Sequence, residues 1–129
     1  MSGELLLVAD DDEDILLLVT TRLRRDGYEV VSASSGDRAL ALAREHRPRL
    51  AVLDIGMPGL DGLEVLEQIR GDDELRNTLV LLLTAKAQES DVRRGYDSGA
   101  DAYVKKPFSP AELSTRVRAL LDSAQPGVL

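Results

Sequence analysis

Five side chains of complementary chemistry close short apolar runs: Asp10 and Asp11 after LLLVA (5–9), Asp54 after LAVL (50–53), Thr84 after LVLLL (79–83) and Lys106 in YVKKP (103–107). Carboxylates crowded together cannot all stay ionised without help. A hard divalent cation held by oxygen ligands is the ordinary help, and Mg²⁺ suits a few carboxylates together with waters and a phosphate. Thr84 adds a hydroxyl donor and Lys106 an ammonium point charge. A carboxylate, a cation site, a hydroxyl and an ammonium form a set able to accept, hold and sense a phosphoryl group.

Such a set works only if the elements carrying it end at one place. Apolar runs this short and continuous suit strands buried on both faces of a parallel sheet. Strands are expected at 4–9, 28–33, 50–54, 79–84 and 101–104. Helical spacing puts Ile15, Leu18, Val19 and Leu23 on one face of 13–25, and Ala39, Leu40 and Ala43 on one face of 36–46. Leu63, Leu66 and Ile69 mark 62–70, and Leu113, Val117, Leu120 and Leu121 mark 110–122, while 89–98 is a more polar helix. Asp12, Ser35 and Ser109 before Pro110 are placed to cap helices, and Gly27 and Gly99 to end them. Five βα repeats with short loops predict right-handed crossovers and a doubly wound α/β fold with a five-stranded parallel sheet. Ligands of such sheets bind outside the carboxyl ends of the strands, where the residues above cluster.

Bulk properties exclude several alternatives. The 129 residues suffice for one core, and 43% apolar with 30% charged content is globular in character. A net charge of −7 without a Lys/Arg stripe argues against direct nucleic-acid binding by this domain. The absence of cysteine removes disulfides, zinc thiolates and Cys nucleophiles. No signal peptide or membrane span is legible, so a cytoplasmic protein is expected.

The segments VADDDEDIL (8–16), LDIGMPGLDGLEVL (53–66), LLLTAKA (81–87) and GADAYVKKPFSPAEL (99–113) resemble, in order and spacing, the signature segments of two-component response-regulator receiver domains. The resemblance runs from about residue 4 to residue 122. It implies a (βα)5 flavodoxin-like fold and transfer of a phosphoryl group from a sensor histidine kinase or phosphotransfer protein to Asp54. It implies a phosphoacceptor signalling domain, which catalyses only its own phosphoryl transfer and dephosphorylation. Asp10, Asp11, Asp54 and the Gly56 carbonyl would hold Mg²⁺. Lys106 matches the family's Lys-Pro pair, whose peptide is typically cis, and would pair with the phosphoryl group. Thr84 and Tyr103 match the switch pair that remodels the face formed by 89–98, the fifth strand and 110–122. Lys105 faces the other way by strand alternation.

Blander readings exist for each residue: helix capping for Asp10 and Asp11, strand propensity for Thr84, and an edge-strand aromatic for Tyr103. His46, Arg93 and Arg94 read as exposed, and Asp61 as turn chemistry. Asp10, Asp12 and Asp14 have the first spacings of an EF-hand loop, but Ile15 stands where that loop needs Gly. A haloacid-dehalogenase-like hydrolase would use Asp10 and Asp12, yet Asp14 replaces its usual Thr or Val. A degenerate receiver acting as a docking module is the other alternative. Residues 1–122 are expected to form the receiver and 123–129 a tail or truncated linker. The segment 106–121 resembles receivers attached to winged-helix transcription factors. That likeness implies a homodimer with Arg116 and Arg118 in cross-subunit ion pairs, whereas Ala102, where those receivers carry an acid, removes one pair. Thr20, Thr21, Arg22 and Arg25 on the first helix are the expected kinase-docking surface. Gly56 and Lys86 are expected to tune attack of water on the phosphoryl group: Gly56→Asn or Lys86→Glu should change dephosphorylation rates without abolishing phosphorylation.

Overall fold

The computed structural model describes residues 3–85 and 99–123. Five strands, β1 (Leu5–Ala9), β2 (Glu29–Ala33), β3 (Leu50–Asp54), β4 (Leu79–Thr84) and β5 (Ala102–Lys105), form one sheet. Their order is β2-β1-β3-β4-β5, and every pairing is parallel. The described helices are α1 (Glu13–Arg25), α2 (Gly36–His46), α3 (Gly62–Arg70) and α4 (Pro110–Ser123). The predicted helix at 89–98, with Arg93 and Arg94, and Lys86 lie outside the described residues.

Period-two alternation divides the core into two layers. Leu7, Ala9, Ala51, Leu53, Val80 and Leu82 face α2 and α3, and pack with Leu40, Leu63, Leu66 and Ile69. Leu6, Val8, Leu50, Val52, Leu81 and Leu83 pack with Val19, Leu23, Leu113, Val117 and Leu121 of α1 and α4. Burial on both faces explains why these strands read as continuous apolar runs.

The expected caps form. Asp12 accepts from the amides of Asp14 and Ile15, Ser35 from Arg38, and Ser109 from Glu112. Asp61 does more than shape a turn: it forms a capping box with Glu64. Gly27 and Gly99 adopt φ of 101°, a left-handed conformation.

Two assignments on α1 need correction. Leu18 is 47% exposed, and Thr20, expected on a docking surface, is 4% exposed. The buried stripe runs through Val19, Thr20 and Leu23, flanked by Ile15 and Leu16. Thr20 tolerates burial because its hydroxyl donates to the Leu17 carbonyl at 3.2 Å. Counting apolar residues alone could not rank a threonine above a leucine for this stripe.

Candidate phosphoacceptor and cation site

The central strands β1 and β3 pair with Ala9 opposite Leu53, so the residues that follow, Asp10 and Asp54, emerge side by side. Asp54 lies opposite Leu83 on β4, and Thr84 opposite Lys105 on β5. The carboxyl ends of four neighbouring strands thus deliver Asp10, Asp54, Thr84 and Lys106 to one edge of the sheet. Asp10, Asp54 and Thr84 are buried there, at 0%, 5% and 5% exposure. Asp11 is exposed at the mouth.

The Lys106 ammonium lies 2.9 Å from Asp10 Oδ2 and 3.3 Å from Asp54 Oδ1. Two loop amides complete this inner shell. Asp12 N–H donates to Asp10 Oδ1 at 2.9 Å, and Gly56 N–H to Asp54 Oδ1 at 3.3 Å. Lys106 N–H donates to the Thr84 carbonyl at 2.7 Å, joining the end of β5 to that of β4. The Lys106–Pro107 peptide is cis, as the resemblance implied. Lys105 is exposed, as alternation required, and Tyr103 is half-buried against the α2/α3 side of the core.

Electrostatics at the site are unbalanced. Burial and then the charge of Asp10 push the Asp54 carboxyl from 3.8 up to about 6, against the opposing pull of Lys106. Burial by itself would lower the Lys106 ammonium, but its hydrogen bond to Asp10 and the charges of Asp54 and Asp10 outweigh it, and its pKa rises. One ammonium therefore serves two buried carboxylates. Asp10 Oδ2 has that ammonium as its partner at 2.9 Å. Carboxylate oxygens of Asp10, Asp11 and Asp54 all lie within 4.8 Å of one another. A compact set of hard oxygen donors, two of whose carboxylates share a single ammonium, fits a divalent cation. Asp12 faces elsewhere, spending its carboxylate on the α1 cap, which disfavours an Asp10/Asp12 hydrolase pair.

Sequence reading missed Arg70. Its guanidinium donates to the carbonyls of Gly99, Arg76 and Thr78 and contacts Asp101 at 2.9 Å. Asp101 Oδ2 also accepts from Val80 N–H at 2.8 Å. This clamp fixes Asp101, one residue before β5 and two before Tyr103. No local pattern marks an arginine that ties two nearby carbonyls to a carbonyl and a carboxylate 29 and 31 residues away.

The model of the response regulator receiver domain family matches residues 6–118. The alkaline phosphatase synthesis transcriptional regulatory protein PhoP of Bacillus subtilis is 46% identical over 116 residues, covering 90% of this chain and 48% of that protein. The transcriptional regulatory protein ResD of the same organism is 43% identical over 119 residues, covering 92% and 48%. The chain thus spans about half the length of these curated relatives. A putative response regulator from Chloroflexus aurantiacus superposes with a TM-score of 0.87 at 34% identity, covering 93% of this chain and 98% of that one. The chemotaxis response regulator CheY4 of Vibrio cholerae gives 0.87 at 30% identity, covering 92% and 98%.

Proposed function

The chain belongs to the response regulator receiver domain family of two-component systems, and on that premise we propose that Asp54 accepts a phosphoryl group from a histidine kinase or phosphotransfer protein. The carrying observation is the convergence of buried Asp10, buried Asp54 and Lys106 at 2.9–3.3 Å, with Asp11 in the same carboxylate cluster. A carboxylate oxygen of Asp54 attacks phosphorus in line. An O–P bond forms, the P–N bond to the donor imidazole breaks, and its electron pair stays on the imidazole nitrogen. Dephosphorylation reverses the economy: water supplies the oxygen, and the Asp54 carboxylate leaves.

Asp10, Asp11, Asp54 and the Gly56 carbonyl would hold Mg²⁺, which neutralises charge between the carboxylates and the phosphoryl oxygens when bound. Lys106 already bridges Asp10 and Asp54 and is within reach to pair with an added phosphoryl oxygen. Thr84, buried at the end of β4, offers its hydroxyl to the same group, and Tyr103 on the adjoining strand senses its movement. The response would remodel the face that β5 and α4 share, for partner docking or homodimerisation. Arg116 and Arg118 are exposed on α4 for such contacts.

The kinase would dock on α1, where Leu17 and Leu18 are 66% and 47% exposed beside Thr21 and Arg25. No described helix is long and apolar enough to cross a membrane, and the reading places the domain in the cytoplasm. Residues 1–122 are taken as the functional unit, α4 running one residue further to Ser123. Direct nucleic-acid binding is not assigned to this domain.

Intact mass after incubation with Mg²⁺ and acetyl phosphate tests the reading. One added phosphoryl group in the wild type, absent in Asp54→Ala and absent with EDTA, is the expected result. No gain in either protein would mean a degenerate receiver used as a docking module. A gain in both would place the phosphoacceptor elsewhere.

A further inference from the structure

The loop from Ile55 to Asp61 carries Gly56 and follows Asp54 directly, so its placement sets the distance between two expected oxygen ligands. Two glycines, each the first residue of a helix, touch this loop backbone to backbone. Gly62 opens α3 and donates its N–H to the Ile55 carbonyl at 3.1 Å. A Cβ on Gly62 would stand 2.5 Å from the Asp54 carbonyl oxygen and 2.9 Å from both the Asp54 carbonyl carbon and Ile55 Cα. Gly36 opens α2 and donates to the Pro58 carbonyl at 3.4 Å. A Cβ there would overlap the Leu60 carbonyl.

Neither glycine needs its backbone freedom, since neither has a positive φ. The reason for glycine is space. At Gly62 the atoms in the way are the peptide of Asp54 itself, which cannot swing aside as a flexible side chain would. Gly71, at the end of α3, lacks such a constraint: its added Cβ would be 3.4 Å from the nearest atom, the Glu67 carbonyl oxygen.

We propose that Gly62 and Gly36 are positioning residues of the phosphoacceptor site, seating the root and the bend of the 55–61 loop so that the Asp54 carboxylate and Gly56 carbonyl meet one cation. The inference deepens the receiver reading and rests on it. Any side chain at position 62 pushes the Asp54 peptide along β3 or the first turn of α3 away from it. The first movement separates Asp54 from Asp10 and Lys106, whose places are set by β1 and β5; the second draws the loop that carries Gly56 away from Asp54. Displacements of this order at a reacting centre are felt in rate because alignment of attacker and phosphorus is most of the catalysis. Substitution at Gly36 acts on the far side of the loop, through Leu60, and its effect is smaller.

Gly62→Ala, Gly36→Ala and the control Gly71→Ala test this. Mg²⁺ affinity is measured by titration calorimetry, and phosphorylation by acetyl phosphate is resolved into maximal rate and half-saturating concentration. Amide correlation spectra establish that each protein is folded at the working temperature. Gly62→Ala is expected to weaken Mg²⁺ binding and lower the maximal rate at least tenfold, with Gly36→Ala about threefold and Gly71→Ala unchanged. Folded Gly62→Ala and Gly36→Ala with wild-type affinity and rate would overturn the proposal while leaving the receiver reading intact. Equal losses in Gly71→Ala, or failure of both other variants to fold, would overturn it too, assigning these glycines to the fold at large. A wild type that neither binds Mg²⁺ nor gains a phosphoryl group would remove both readings.

Discussion

At the scale of single residues, the site is a problem of unequal charge with Lys106 as its present solution. Asp54 has a folded pKa of about 6 against 3.8 when unperturbed. The folded form therefore holds the proton more tightly, and this contribution to stability is complete below about pH 4 and is lost as pH rises through 6. Without Mg²⁺ the ionised carboxylate costs stability at neutral pH. Asp54→Asn should thus raise stability in EDTA at pH 7.5 by about 1–3 kcal/mol, taking about 1.4 kcal/mol per pKa unit. Its advantage over wild type should vanish near pH 4; a pH-independent difference in denaturant midpoints would contradict the assignment. Lys106→Met makes the opposite change. It strips the ammonium from Asp10, which is fully buried, and should destabilise by about 3–5 kcal/mol in EDTA. Millimolar Mg²⁺ should recover part of that loss, and identical melting with and without Mg²⁺ would argue against a shared site.

At the scale of elements, caps and clamps decide how firmly the strand ends are held. Asp12, Ser35 and Ser109 were legible in sequence because a cap and the amides that donate to it lie within three residues. Arg70 was not, because its partners at Gly99 and Asp101 are 29 and 31 residues away. The two cases predict different losses. Asp61→Ala removes half of a capping box and should cost about 1 kcal/mol. Arg70→Leu leaves the Gly99 and Thr78 carbonyls and Asp101 without their cation, and should cost about 2–4 kcal/mol by urea unfolding. Amide exchange should then quicken at the start of β5 first. Uniform acceleration across the sheet would show that Arg70 has no local role there.

At the scale of the whole molecule, the two-layer core and the exposed α1 leucines separate stability from recognition. Leu53→Ala should cost about 2–5 kcal/mol, since Leu53 is 0% exposed. The double variant Leu17→Ser, Leu18→Ser should stay within about 0.5 kcal/mol of wild type. It should be phosphorylated normally by acetyl phosphate but slowly by its cognate kinase; an equal kinase rate would move the docking surface off α1. The sequence by itself determined the order of the described strands and helices, the caps at Asp12, Ser35 and Ser109, and which carboxylates, hydroxyl and ammonium close the strands. Those features rest on local periodicity and short-range hydrogen bonds, which a linear chain displays. Tertiary structure alone decided that Thr20 is buried and Leu18 exposed, that Lys106 spans Asp10 and Asp54, and that Gly62 abuts the Asp54 peptide. Each of these depends on which surfaces meet when four strand ends are brought into register, and distance along the chain carries no record of that.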